Sequence, residues 1–419
     1  MSKVWWVVSL CGAVLSASFA EAQTNVPTVN CADQPNPIYV ARTAGVLPFF
    51  KAIQPGLYAG ATPYTIVAQE FGSCPAATGL YQSTKLLKDK PEVPAMALPG
   101  GGMSAKVAAN YAHFYAPDGT LKECFITPGG VVPDIAVSNV LPETCGIDTA
   151  SAGPVGNFEG PIITYVFVVP LTSSQTSISA EAAYQVFGTG GNQGRAFPWT
   201  DPSVMLIRNP AAGTQQMIAK AIGVPVNKWW GVDQLSNDAM RTNLRALGSN
   251  PQLAERTIGI LQTEFSDVDK ENYRVLAFQA RNQKCGYLPD ETILSRDKLN
   301  VREGRYTIWG PLHFYARTYP TVPKDGPAAV VTRFTAQKIE QALLDAIIAA
   351  HEIPRCAMRV SRDGELTELK PYRPEGSCSC YFESKVVGAV AAECHACKVN
   401  ADCPSARPAC NYGFCEPKP

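Results

Sequence analysis

The chain has 419 residues, with Lys plus Arg equal to Asp plus Glu at 36 each and a formal net charge of zero at pH 7. That balance offers no basic surface to a nucleic acid or an acidic membrane, and hydrophobic residues at 46% with charged ones at 17% describe a globular protein rather than a disordered or fibrous one. The length suffices for two or three units with ordinary cores, and 33 Gly with 34 Pro imply many turns between short elements.

Lys3 precedes an apolar run from Val4 to Ala20, and Ser18-Phe19-Ala20 and Ala20-Glu21-Ala22 supply two small-residue cleavage points. This is the pattern of a secretory signal peptide over residues 1–22. The run is short for a membrane span, no later stretch approaches the roughly eighteen apolar residues a span needs, and Cys11 after Leu10 lies too early for a lipoprotein cleavage site. The expectation is an exported protein, periplasmic or extracellular, with no stable membrane insertion once the signal is removed.

Strands and helices then alternate. Ile38 to Ala41 reads as a short strand, Val46 to Ile53 as a helix, Tyr64 to Glu70 and Asp134 to Ser138 as further strands. Ile162 to Leu171 (IITYVFVVPL) is a near-continuous apolar run, the mark of a strand covered on both faces. Ala212 to Ile222, Asp238 to Leu247 and Pro251 to Gln262 read as helices, and Thr335 to Ala350 is the clearest amphipathic helix, stopped by Pro354. The alternation predicts an α/β protein with mainly parallel sheets. After Pro354 the composition turns polar, proline-rich and cysteine-rich, so the main body is expected to end at residue 355 and a separate C-terminal region to occupy 356–419.

Eight of the fourteen cysteines lie at or after Cys356, among them Cys378, Cys380, Cys394, Cys397, Cys403, Cys410 and Cys415. A disulfide-stapled region and a zinc knuckle on Cys394-His395-Ala396-Cys397 compete as readings. Thiols pair with each other in an oxidising compartment, which favours disulfides. Loss of Cys11 with the signal leaves thirteen, so one thiol is free or pairs between chains.

The twenty residues from Pro198 to Met217 are the most informative. A short apolar strand (Val204 to Ile207) leads to Arg208, a proline-broken turn, then Gly213 and Thr214 opening a helix. A helix start offers N–H groups without intrahelical partners and about half a positive charge, and an adjacent guanidinium adds a fork of donors, so this order suits an oxyanion. The plainer alternative is a capped surface helix beside a solvated arginine. Enzyme signatures are missing: there is no Gly-x-Ser-x-Gly, no His-Glu-x-x-His and no Gly-Lys-Ser/Thr, the glycine-rich stretch Gly100-Gly101-Gly102-Met103-Ser104 lacks a lysine, and none of His113, His313, His351 and His395 is paired at ligand spacing. Neither an enzyme nor a cofactor is expected.

The neighbours of that segment resemble the PstS-like periplasmic phosphate-binding proteins, a family of type II extracytoplasmic solute-binding proteins. Ser177 to Gly191 followed by Pro198-Trp199-Thr200-Asp201-Pro202 is similar to the family's helix ending in Phe-Gly and its Trp-x-Asp-Pro turn. Asn300 to Ala316 (NVREGRYTIWGPLHFYA) is similar to its Gly-x-Tyr turn and Trp-x-Pro-Leu strand, and Tyr39 to Ile53, Glu70 to Leu80 and Pro133 to Val140 fall in the order of its ligand loops.

The resemblance implies a two-lobed periplasmic binding protein type II fold with a ligand cleft between lobes, plus a small disulfide-rich C-terminal region. Lobe one would be 36–165 with 276–355 and lobe two 166–275, closing by a hinge around a solute. It places Thr43, Ser73, Ser138, Asn139, Arg208, Gly213 and Thr214 around phosphate or a phosphate-like oxyanion, with an ABC-type permease as partner. The alternative is a cell-envelope interaction protein with a degenerate cleft and a recognition tail. Three departures bear on the ligand: Asn139 stands where the family carries Asp, Asn209-Pro210-Ala211-Ala212 replaces an acidic and hydroxyl-bearing turn, and Arg42 and Ala44 replace a small residue and a hydroxyl. A carboxylate at 139 would accept a proton from monohydrogen phosphate and repel sulfate, whereas an amide discriminates less.

Overall fold

The structure is a computed structural model describing residues 27–90, 109–191, 196–388 and 392–418. The signal-peptide reading over 1–22 and the glycine-rich stretch at 100–104 lie outside the described residues.

Apolar runs separated by Gly and Pro turns give β1 (Pro37–Arg42), α1 (Leu47–Tyr58), β2 (Thr65–Glu70), α2 (Ser73–Tyr81), β3 (Ala112–Tyr115), β4 (Leu121–Cys124) and β5 (Ile135–Ser138). The sixteen-residue β6 (Val155–Pro170) follows, then β7 (Ser177–Ser179), α3 (Ala180–Thr189), β8 (Met205–Ile207), α4 (Gly213–Ile222), β9 (Val232–Asp233), α5 (Asn237–Gly248) and α6 (Pro251–Arg256). The chain continues through β10 (Ile258–Gln262), α7 (Thr263–Ser266), β11 (Tyr273–Val275), β12 (Ala277–Gln279), α8 (Leu299–Arg302), β13 (Trp309–Arg317), α9 (Asp325–Thr335) and α10 (Gln341–Ala349). Its last elements are β14 (Val360–Ser361), β15 (Lys370–Pro371), α11 (Ser379–Val387), β16 (Ala409–Asn411) and β17 (Phe414–Glu416).

The strands lie in the order β4-β3-β2-β1-β5-β13-β6-β10-β8-β9, with β11 also on β6. β6 serves two half-sheets. Its residues Val155 to Thr164 pair with β13, and Tyr165 to Pro170 pair with β10 and β11. A strand buried on both faces has to be apolar throughout, and Ile162 to Val169 are almost entirely shielded from solvent. Phe167 stacks on Phe187 at 5.9 Å and meets Phe278 at 5.6 Å in the second half. The result is a mixed α/β fold, with helices over two half-sheets that share one strand.

Several elements differ from the sequence reading. The sheets are mixed rather than mainly parallel: β1 is parallel to β2 and β5, but β13 runs antiparallel to both β5 and β6. Pro251 to Gln262 is not one helix, because Asn250 caps a helix that stops at Arg256 and Ile258 to Gln262 form β10. The capping signal is sound, but antiparallel pairing of Gly259 to Gln262 with β6 outweighs helix continuation. Thr335 to Ala350 is likewise broken. α9 ends at Thr335 and α10 begins at Gln341, and on the linker between them the Tyr412 hydroxyl donates to the Ile339 carbonyl at 2.9 Å.

Disulfides join Cys31 to Cys124 and Cys74 to Cys145 in the first half, and Cys356 to Cys378, Cys380 to Cys394, Cys397 to Cys410 and Cys403 to Cys415 beyond it. The thiols of the zinc-knuckle reading are therefore consumed in disulfides. Cys285 is exposed and unpaired among the described residues. Six disulfides are the chemistry of an oxidising compartment. No helix among the described residues is long and apolar enough to cross a membrane.

Candidate functional site

Two helices from different half-sheets point their N-termini at each other. α2 starts at Ser73 after Gly72, whose φ of 83° is a conformation glycine adopts without strain, and α4 starts at Gly213 after Ala212. No side chain caps either start. The start of α4 therefore presents unpaired N–H groups and about half a positive charge to the space between them, whereas in the first turn of α2 Pro75 has no N–H and the Cys74 N–H is already engaged. The gap is narrow: the Cys74 N–H donates to the Ala211 carbonyl at 3.3 Å, so the two halves touch here.

A cavity of about 350 Å³, within the range of small-molecule sites, opens beside this contact. Thr43, Asn139, Arg208, Gly213 and Thr214 line it, together with Glu70, Gly72, Lys90, Asn209 and Asn237. Thr43, Asn139 and Thr214 are each at most 5% exposed, so their polar groups belong to the interior and not to a solvated surface. The Asn139 side-chain amide donates to the Thr43 hydroxyl at 3.2 Å. The Thr214 hydroxyl makes no hydrogen bond among the described residues.

Arg208 sits where β8 gives way to the α4 turn. Its backbone N–H donates to Gln215 Oε1 at 2.9 Å, and its guanidinium donates to the Asn237 side-chain oxygen. Among the described residues it forms no ion pair, and its Nε is buried without a partner. Burial pulls its pKa below the usual arginine value, while Asp233 and Glu70 oppose that shift. The guanidinium is thus held by an amide oxygen, which fixes its direction without neutralising its charge. Lys90 adds a second cation, poised 4.6 Å over the Phe71 ring, with its pKa lowered by burial and then by Lys88. The one carboxylate on the wall, Glu70, is tied to Arg42 by a 2.7 Å ion pair.

Ser73 and Ser138 are not among the residues that line this cavity. Ser73 is fully buried and its Oγ accepts the Asn139 N–H at 3.0 Å, so it orients Asn139. The Ser138 hydroxyl turns back on its own loop, donating to the Val140 carbonyl at 2.7 Å and accepting from the Val140 N–H at 3.1 Å. Sequence reasoning missed Glu70, Lys90 and Asn237. Glu70 could have been found as the polar end of β2 just before the Gly72 turn; Lys90 and Asn237 lie in segments with no local signal.

No protein-family model matches the chain, and no curated protein does. Among solved structures, an ABC-type phosphate transport receptor from Vibrio cholerae is 13% identical over 76% of this chain and 100% of its own, with a TM-score of 0.46. The phosphate-bound substrate-binding protein assigned to a phosphate ABC transporter in Clostridium perfringens is 9% identical over 76% of this chain and 99% of its own, TM-score 0.48. A candidate phosphate-binding protein from Planctomyces limnophilus is 8% identical, with coverage of 78% and 94% and a TM-score of 0.44. All three TM-scores lie below 0.5.

Proposed function

We propose that the chain is an extracytoplasmic solute-binding protein that captures a small oxyanion, phosphate or a phosphate-like one, in a cleft between two lobes. The lobes are taken as 36–165 with 276–355 and 166–275. The observation that carries this reading is the uncapped start of α4 meeting, in one cavity, an arginine that has no carboxylate partner among the described residues. Thr43, Asn139, Arg208, Gly213 and Thr214 are its ligand contacts, and Ser73 supports Asn139 from behind. With Asn139 in place of a carboxylate and Glu70 engaged by Arg42, the seat accepts fully ionised oxyanions as well as protonated ones. Delivery to an ABC-type permease is the role this architecture serves.

The test is thermal unfolding of the full-length exported protein against phosphate, sulfate, phosphonates, molybdate and small carboxylates. An anion at a hundredfold its dissociation constant adds about 2.7 kcal/mol, a shift of a few degrees. Arg208→Ala should abolish that shift, because hydrogen bonds to a charged group are worth about 1.5–3 kcal/mol. Absence of any shift across the panel refutes the assignment.

A further inference from the structure

Residues 356–378 form a finger. Its stem is the antiparallel pair β14–β15, with Val360 opposite Pro371 and Ser361 opposite Lys370, and the Cys356–Cys378 disulfide closes its base. Arg362 fixes the finger by lying 3.7 Å from the Trp309 ring and donating to the Thr307 carbonyl at 3.2 Å. At the tip is Glu365, 5% exposed although it is a carboxylate with no apolar reason to be inside.

The Glu365 carboxylate is shared between the two halves of the fold. Oε1 accepts the Leu141 N–H at 2.5 Å, and Oε2 accepts the Thr144 hydroxyl and, at 3.0 Å, the Lys220 ammonium. Leu141 and Thr144 follow β5 on the loop that carries Asn139, whereas Lys220 lies on α4, seven residues past Gly213. That loop is also held by two tyrosines: Tyr315 OH, on β13, donates to the Val140 carbonyl at 3.2 Å, and Tyr165 OH, on the shared strand β6, donates to the Asn139 carbonyl at 3.1 Å. Glu365 adds the tie from this loop to the helix whose N-terminus forms the opposite wall of the cavity.

The geometry points to Glu365 as a positioning residue that clasps the cleft, setting the distance between Asn139 and Gly213–Thr214 and slowing the opening that admits or releases an anion. The C-terminal extension then governs ligand exchange without touching the ligand. This rests on the solute-binding reading only for its kinetic readout, since the clasp itself is a contact between the two half-sheets.

The test uses the full-length protein and three variants. Lys220→Gln removes only the arm to α4 and is 45% exposed at its side chain, so the fold tolerates it; Lys220→Arg restores the arm, and Glu365→Gln removes the charge at the tip. Small-angle X-ray scattering without added anion should give a larger radius of gyration for Lys220→Gln and Glu365→Gln than for the parent and for Lys220→Arg. Release of inorganic phosphate, followed by stopped flow, should accelerate about 5- to 10-fold in Lys220→Gln, the exposure of Lys220 limiting the effect, and Lys220→Arg should return it to the parent rate. Unchanged dimensions and an unchanged release rate in Lys220→Gln overturn the clasp. If phosphate binds none of the proteins, the oxyanion reading fails for phosphate and the scattering comparison alone decides the clasp.

Discussion

Gly213→Ala is the substitution that most directly probes the closed contact at the cavity. A Cβ at Gly213 would lie 2.8 Å from Asn139 Cβ and 3.1 Å from Ser73 Cβ, and would overlap Ser73 Oγ. Ser73 cannot swing away freely, because its Oγ holds the Asn139 N–H. The added methyl must therefore push α4 off α2 and the Asn139 loop, an overpacking that costs about 1–3 kcal/mol. Because α2 and α4 belong to different half-sheets, opening relieves the clash, so the cost falls on the closed state that grips the anion and not on the folding of either half. Affinity for the anion identified in the thermal panel should fall by about 5- to 150-fold, while the unfolding temperature without anion moves far less than that energy would imply. Isothermal titration calorimetry measures the first and differential scanning calorimetry the second. Gly129→Ala, where a Cβ meets nothing within 4 Å, is the control. An unchanged dissociation constant in Gly213→Ala would show that α4 does not close against α2 around the ligand.

Asn139→Asp places a carboxylate on the wall within reach of the anion, so sulfate binding should drop by at least tenfold while monohydrogen phosphate, which can donate a proton, is retained; equal losses for both anions in calorimetry would contradict the discrimination argument. Burial lifts the Glu264 carboxyl to about 7, with Glu70 reinforcing and Arg42 and the hydrogen bond from Glu352 opposing, and burial beside Glu264 lifts Glu352 well above the usual carboxylate range. The unfolded chain releases both protons near the ordinary glutamate value of about 4.3, so the native state holds more protons above it and stability falls as pH rises from about 5 past 7. Urea midpoints at pH 5, 6, 7 and 8 should decline in the parent and decline less in Glu352→Gln; a parent midpoint that is flat across this range counts against the buried pair. Lys298 is 1% exposed with its ammonium 2.5 Å from Asp267 and 2.9 Å from Asp290, so Lys298→Met leaves these two buried carboxylates to the one more distant Lys270, at 3.7 and 3.5 Å, and should cost about 3–5 kcal/mol in urea unfolding. A loss under about 1 kcal/mol would mean the carboxylates find water or protons instead.

What could be read from the sequence follows from how local each determinant is. The strands β1, β2 and β5 and the α4 start were legible because apolar runs and strand-to-helix turns are written in adjacent residues, and Thr43, Asn139, Arg208, Gly213 and Thr214, named through the family resemblance, all line one cavity. The direction of a hydroxyl is not local in that sense. Ser138 has the right place and the wrong rotamer, spent on Val140, and Ser73 is turned to Asn139 by a helix start that only the fold brings near. Asn237 could not be foreseen as the partner of Arg208, since 29 residues and two half-sheet elements separate them. α9 was not read from the sequence; Pro327 lies in its first turn, where proline is tolerated.

The composition change at residue 355 marks a real shift in chemistry but not an energetic boundary. Cys356, Ala357, Met358, Cys378, Tyr381 and Phe382 belong to the same continuous core as the half-sheets. Arg302, completely buried in the body, finds its counter-charge on the extension, with Nη2 at 2.8 Å from Glu383 and the guanidinium 5.1 Å from the Phe382 ring. Cutting the chain after Arg355 would leave that guanidinium without its ion-pair partner and remove the Glu365 contacts to Leu141, Thr144 and Lys220. Short polar segments with little core of their own are held by disulfides, and here four of the six serve the extension. Of these, Cys356–Cys378 closes the base of the finger that reaches Leu141 and Lys220, and the other three hold residues 380–415, so the cysteine-rich region is packed into the body rather than appended to it.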